Sequence, residues 1–201
     1  MMTKISQTFS ILSLAILLFS FCVGPADAAK YNTAINVGDP APHWSGLMGV
    51  DGKTNNFDDL ADAKAVVIVF TCNQCPVAQA YEDRLNDLVK KYKDKGVAVV
   101  AINPNSTENI DQMKQRAEEK GIAYLYLHDE AQEMAKAYGA TCTPHAFVLN
   151  GKRQVAYMGA IDDNQAASKV TQHYVQTALD SILSGASVTK TETRQFGCGI
   201  H

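Results

Sequence analysis

The chain has 201 residues, 46% hydrophobic and 19% charged, the balance of a globular protein with one sizeable core. Eighteen basic residues against 21 acidic ones leave a formal net charge of −3. There is no basic footprint for nucleic acid and no block of like charge to serve as a recruiting tail.

The chain opens with Lys4 and a nearly uninterrupted apolar run over residues 9–23, followed by Ala26-Asp27-Ala28, the small-x-small pattern that a signal peptidase cuts after. Residues 1–28 are therefore expected to be a signal peptide and residues 29–201 one exported domain, periplasmic or extracellular. The apolar run falls short of the roughly 18 residues of a spanning helix, so no stable membrane span is expected after cleavage. Of the five cysteines, Cys22 leaves with the signal, and its bulky neighbour Phe21 does not suit lipoprotein processing. Cys72, Cys75, Cys142 and Cys198 remain, and in an oxidising compartment such an even set is expected to be paired or redox-active.

Residues 31–42 read as a polar approach segment, and residues 44–50 as a first strand before the turn Asp51-Gly52-Lys53. Residues 65–70, AVVIVF, form a β-branched run suited to a strand buried on both faces. From 77 to 95 the period becomes helical, with Tyr81, Leu85, Leu88, Val89 and Tyr92 on one face and Gly96 as the stop. A second buried strand over 97–102 leads to a helix capped by Ser106 or Thr107 and ended by Gly121. A strand over 122–127, a short helix over 130–138, a hairpin about Asn150-Gly151 and a helix over 170–183 complete the pattern. The order implies an α/β fold with a mixed central sheet between helices.

The chemistry concentrates in Cys72-Asn73-Gln74-Cys75-Pro76, where a buried strand meets a helix. A helix N-terminus stabilises a thiolate by up to ~2 kcal/mol, which would take a thiol from ~8.5 to about 7. On this reading Cys72, at the helix mouth, attacks, and Cys75 resolves the mixed disulfide by forming a Cys72–Cys75 bridge. Pro76 suits the first helical turn. A zinc half-site is the competing use of CxxC, but no second CxxC or HxxxH accompanies it. No resident metal or cofactor is called for.

These residues resemble a known group. Phe70-Thr71-Cys72-Asn73-Gln74-Cys75-Pro76 with Tyr81 and Arg84, Cys142-Thr143-Pro144, Gly159-Ala160-Ile161-Asp162-Asp163 and Gly197-Cys198-Gly199-Ile200 are similar to the thioredoxin superfamily, specifically the peroxiredoxin-like (AhpC/TSA-like) redoxins that carry a CxxC. The resemblance implies a thioredoxin-like fold with an N-terminal extension and an inserted βα unit. It implies a cis Thr143-Pro144 loop facing the cysteines, where Thr143 and Pro144 bind a partner's extended chain. Protein thiols or disulfides and an unidentified redox partner are the implied partners, and thiol–disulfide exchange the implied activity. The chain departs from ordinary thioredoxins at Thr71, where they carry tryptophan, and at Val66, where they carry a buried carboxylate. It departs from peroxiredoxins at Cys72 and Ile68, where they carry threonine and proline.

Two alternatives stay open: a copper-delivery protein using the cysteines with His128 or His145, and a thiol peroxidase using Cys75. Cys142 and Cys198 are read as a second disulfide or as an auxiliary relay. His145 is read as either a tuning or metal-binding group or a plain loop residue. Asp162 and Asp163 are read as caps of a loop or helix rather than a cation site.

Overall fold

The computed structural model describes residues 30–201. The expected signal peptide and Cys22 lie outside the described residues. Two short strands, β1 (Leu47–Gly49) and β2 (Thr54–Asn55), flank the turn at Gly52. The single strand expected over 44–50 is shorter because Trp44 is drawn into the core, where its ring meets Phe57 edge-on at 4.9 Å. β3 (Ala65–Phe70) follows and is wholly buried. Its odd-numbered side chains join a cluster with Leu85, Leu88, Tyr92 and Met113, and its even-numbered ones a cluster with Trp44, Phe57, Tyr138 and Phe147. The period of two thus builds a core on each face of the sheet.

The helix expected over 77–95 is broken. The structure has α1 (Pro76–Gln79), a bend at Ala80 and Tyr81, α2 (Glu82–Tyr92) and a 3-10 turn ending at Gly96, whose φ is 81°. The apolar spacing runs through the bend, because Tyr81 turns inward there to donate its hydroxyl to Asp162 at 2.7 Å. β4 (Val97–Asn103) leads to α3 (Ile110–Lys120). Asn109, not Ser106 or Thr107, caps α3 by accepting from the Gln112 N–H, while the Gln112 side chain accepts from the Asn109 N–H. β5 (Leu125–His128), α4 (Glu133–Tyr138), β6 (Cys142–Thr143), β7 (His145–Leu149), β8 (Val155–Gly159), α5 (Tyr174–Leu183) and β9 (Cys198–Gly199) complete the chain.

The main sheet runs β2-β1-β5-β4-β3-β7-β8, and β6 pairs with β9 in a separate ribbon. β3, β4 and β5 are parallel to their neighbours within that trio, whereas β7 runs antiparallel to β3 and to β8. The sheet is therefore mixed, as the sequence pattern implies. β5 and α4 form a strand–helix unit between α3 and the hairpin. The carboxyl ends of β3 and β4 lie side by side, Phe70 opposite Ile102, so the residues that follow them share one end of the sheet.

Candidate active site

The Cys72–Cys75 turn begins as β3 ends. The Thr71 N–H still bonds the Ile102 carbonyl at 2.9 Å, and Pro76 then opens α1. Cys75 is the cap residue of α1, and its sulfur accepts from the Ala78 N–H at 3.4 Å. Cys72 and Cys75 are both buried and pack with Ala78, Val77 and Cys198 in one small cluster.

Facing them is the ribbon of β6 and β9. Its register sets Thr143 opposite Cys198 and Cys142 opposite Gly199. Cys75 is joined to Cys198 by a disulfide with Cα atoms 5.9 Å apart, although 123 positions separate them in sequence. Cys72 and Cys142 are free thiols. The expected Cys72–Cys75 bridge is thus not the linkage present, and neither is a Cys142–Cys198 bond. Successive residues of a strand face opposite sides, so when Thr143 faces the sulfurs Cys142 faces away. Cys142 instead lines a cleft of about 680 Å³ with Tyr31, Arg194, Phe196 and Gly197.

Thr143 reaches both thiol positions. Its Oγ1 lies 3.2 Å from Cys72 Sγ and its carbonyl oxygen 3.2 Å from Cys75 Sγ. The Thr143-Pro144 peptide is cis, as the resemblance implies. Beyond β9 the Ile200 N–H bonds the Thr141 carbonyl at 3.3 Å. The His201 carbonyl accepts from the Ser106 N–H and hydroxyl, each at 2.8 Å, and from Gln132 Nε2 at 3.0 Å. Ser106 is therefore engaged by the segment 197–201 and not by a helix cap.

A carboxylate that the sequence reading missed sits behind the turn. Glu108 is buried and accepts from the Asn73 N–H at 2.8 Å and the Gln74 N–H at 3.0 Å, the two residues between the cysteines. It also accepts from Asn103 Nδ2 at 2.8 Å and Asn105 Nδ2 at 3.1 Å. The Tyr126 hydroxyl donates to Asn73 Oδ1 at 2.8 Å and accepts from Asn103 Nδ2 at 3.2 Å. The signal for this network was the run Asn103-Pro104-Asn105 closing a buried strand next to β3: polar side chains there need partners.

These surroundings set the thiol chemistry. Burial pushes the Cys72 thiol above its ordinary value and the Glu108 charge adds to this, outweighing the Thr143 hydroxyl and the Cys75 and Gln74 N–H groups. A value near 7 for Cys72 is therefore replaced by a raised one, because desolvation disfavours the thiolate and the turn's N–H groups face a carboxylate. Burial likewise pushes Cys142 up to about 11. His145 lies in β7, its ring tilted at 35° against Phe147 with centroids 4.5 Å apart, and burial lowers it to about 4, so it is neutral at pH 7.

On the other side of α2, Asp162 accepts from the Tyr81 hydroxyl and from Arg84 Nη1 at 2.5 Å. The Arg84 guanidinium also lies 3.6 Å over the Tyr81 ring. Asp163 accepts from the Thr171 N–H and hydroxyl, which hold its carboxyl at about 2. Both aspartates thus anchor loops. Arg116 pairs with Glu82 and Arg153 with the Leu60 carbonyl. Among the described residues no group of three or more His, Cys, Asp or Glu could hold a metal ion.

Residues 37–158 match the AhpC/TSA family, a stretch that contains Cys72, Cys75 and Pro144. The chain belongs to the AhpC/TSA family. A thiol-disulfide oxidoreductase ResA of Oceanobacillus iheyensis is 28% identical over 135 residues, 65% of this chain and 69% of that protein. An uncharacterized conserved protein of Geobacillus kaustophilus is 35% identical, with a TM-score of 0.78 over 84% of this chain and 93% of that one. A hypothetical protein of Sinorhizobium meliloti is 31% identical, with a TM-score of 0.77 over 84% of this chain and 96% of that one. The fold is thioredoxin-like. Within this AhpC/TSA member, Cys198 lies beyond the stretch that matches the family.

Proposed function

We propose that the protein is an exported thiol–disulfide oxidoreductase working through Cys72 and Cys75. The observation that carries the reading is the Cys75–Cys198 disulfide, held by a strand on the Thr143 edge with the free Cys72 thiol in the same buried cluster. The name of the Oceanobacillus relative points the same way.

The geometry favours Cys75 as the sulfur that carries the partner and Cys72 as the one that resolves. In the reduced protein the Cys75 thiolate attacks one sulfur of a partner disulfide. That S–S bond breaks, and its other sulfur leaves with the electron pair as a thiolate. Cys72, deprotonated to solvent, then attacks Cys75 Sγ, and the partner sulfur held in the mixed disulfide leaves and takes up a proton. A Cys72–Cys75 disulfide remains, and two electrons have passed to the partner. The segment's own Cys198 thiolate then reaches Cys75 and frees Cys72, which is the state described above.

Reduction of a disulfide-bonded model protein tests the reading. Cys75→Ser should lower the rate about a hundredfold or more, and Cys72→Ser/Cys198→Ala, which removes both internal resolvers, should trap a mixed disulfide on Cys75. Exchange that survives in Cys75→Ser would remove the assignment. Export predicts a secreted or periplasmic product beginning at Ala29, read from its intact mass.

A further inference from the structure

The segment 197–201 lies along the Thr143 edge, with its strand β9 paired to β6 and its cysteine bonded to Cys75. Resting on the exchange reading above, it serves as a template for how a partner chain lies. We propose that this edge selects partner segments in which the reactive cysteine directly follows a glycine.

The reason is steric. A Cβ built on Gly197 would overlap the Thr143 carbonyl oxygen, stand 2.6 Å from its carbon and approach Pro144 N to 3.1 Å. All three are backbone atoms of the edge itself, and no side chain rotation relieves the overlap. The position after the cysteine is different: the nearest atoms to a Cβ on Gly199 are those of the His201 ring at 3.8 Å, an ordinary contact. Two places after the cysteine, Ile200 packs on the apolar cluster of Phe70 and Phe147. The partner class is therefore an extended peptide of the form Gly-Cys-x-apolar. Its cysteine exchanges with Cys75 while its backbone pairs with residues 141–143. Rejection at the position before the cysteine comes from a clash and not from a lost attraction.

The test uses the full chain as Cys72→Ser/Cys198→Ala, which leaves Cys75 without an internal partner or resolver. The symmetrical disulfides of two pentapeptides, Phe-Gly-Cys-Gly-Ile and Phe-Ala-Cys-Gly-Ile, are offered separately, and the adduct on Cys75 is located by mass mapping. The seated segment obstructs both peptides equally, so the ratio of rates reads the glycine. The glycine peptide should react at least about tenfold faster. Equal rates overturn the proposal while leaving the exchange reading intact. So does the case where both peptides are inert but oxidised glutathione reacts. If oxidised glutathione is inert as well, the exchange reading itself fails.

A second measurement keeps the cysteines in place. In a fixed glutathione buffer, Gly197→Ala should lower the ratio of linked to unlinked Cys75–Cys198 about tenfold, and Gly199→Ala should leave it within about twofold of the unaltered chain. Equal losses in both variants overturn the proposal.

Discussion

Two buried carboxylates brace the stretch that carries Cys72 and Cys75, and they do so in opposite ways. Asp162 meets a cation: Arg84 and the Tyr81 hydroxyl hold it, and Arg84 lies on the Tyr81 ring. Glu108 meets only neutral donors, two backbone N–H groups and two asparagine amides. The first arrangement balances its charge locally and fixes where α2 begins. The second satisfies its oxygens but leaves a negative charge beside Cys72. Equivalent chemistry on two sides of one motif thus gives an anchor on one side and an electrostatic control on the other.

Removing Asp162 should produce the larger loss of stability. Asp162→Ala leaves the Arg84 guanidinium partly buried without its carboxylate, and unfolding free energy should fall by about 3 kcal/mol in denaturant melts. The Cys72 titration should not move. Glu108→Gln should cost less, about 1–3 kcal/mol, because one oxygen becomes an amide that faces donors. It should also lower the Cys72 pKa, read from the pH profile of alkylation at Cys72 with the adduct mapped. A Cys72 profile that shifts in Asp162→Ala and not in Glu108→Gln would reverse the contrast between the two carboxylates.

The profile itself is the third expectation. Because the thiolate is the nucleophile and Cys72 is raised above 9.0, alkylation should climb with pH through a midpoint above that of a free cysteine. The linkage sign follows: the folded state holds these protons more tightly than the unfolded one, so stability is retained below pH 9. It declines as pH rises from there toward the Cys142 value of about 11. The smallest effect belongs to Tyr81→Phe, which removes one hydrogen bond to Asp162 and should cost about 1 kcal/mol without moving the Cys72 profile.

Much of the architecture was legible because its signals are local. The run 65–70 reads as a strand buried on both faces, and Asn150-Gly151 marks the hairpin. What escaped depended on contacts distant in sequence. The bend at Ala80 and Tyr81 is invisible in a helical period that Tyr81 satisfies, since its cause is Asp162, 81 positions away. The cysteine motif was plain, yet its present disulfide was not, because Cys198 is brought to Cys75 only by pairing of β9 with β6. The glycines on both sides of Cys198 were the available hint that backbone approaches backbone there. Glu108 was missed for a similar reason. Val66 of β3 stands where ordinary thioredoxins carry a carboxylate, whereas the carboxylate beside the cysteines follows β4, whose end lies next to that of β3.

The strand–helix unit of β5 and α4 has a duty of its own. Tyr126, on its strand, grips Asn73 between the two cysteines, while Gln132, at the start of its helix, holds the His201 carbonyl. One strand–helix unit thereby spans both halves of the sulfur linkage, like a clamp with a jaw on each. Without this unit the cysteine turn and the closing segment would have to be secured by separate means.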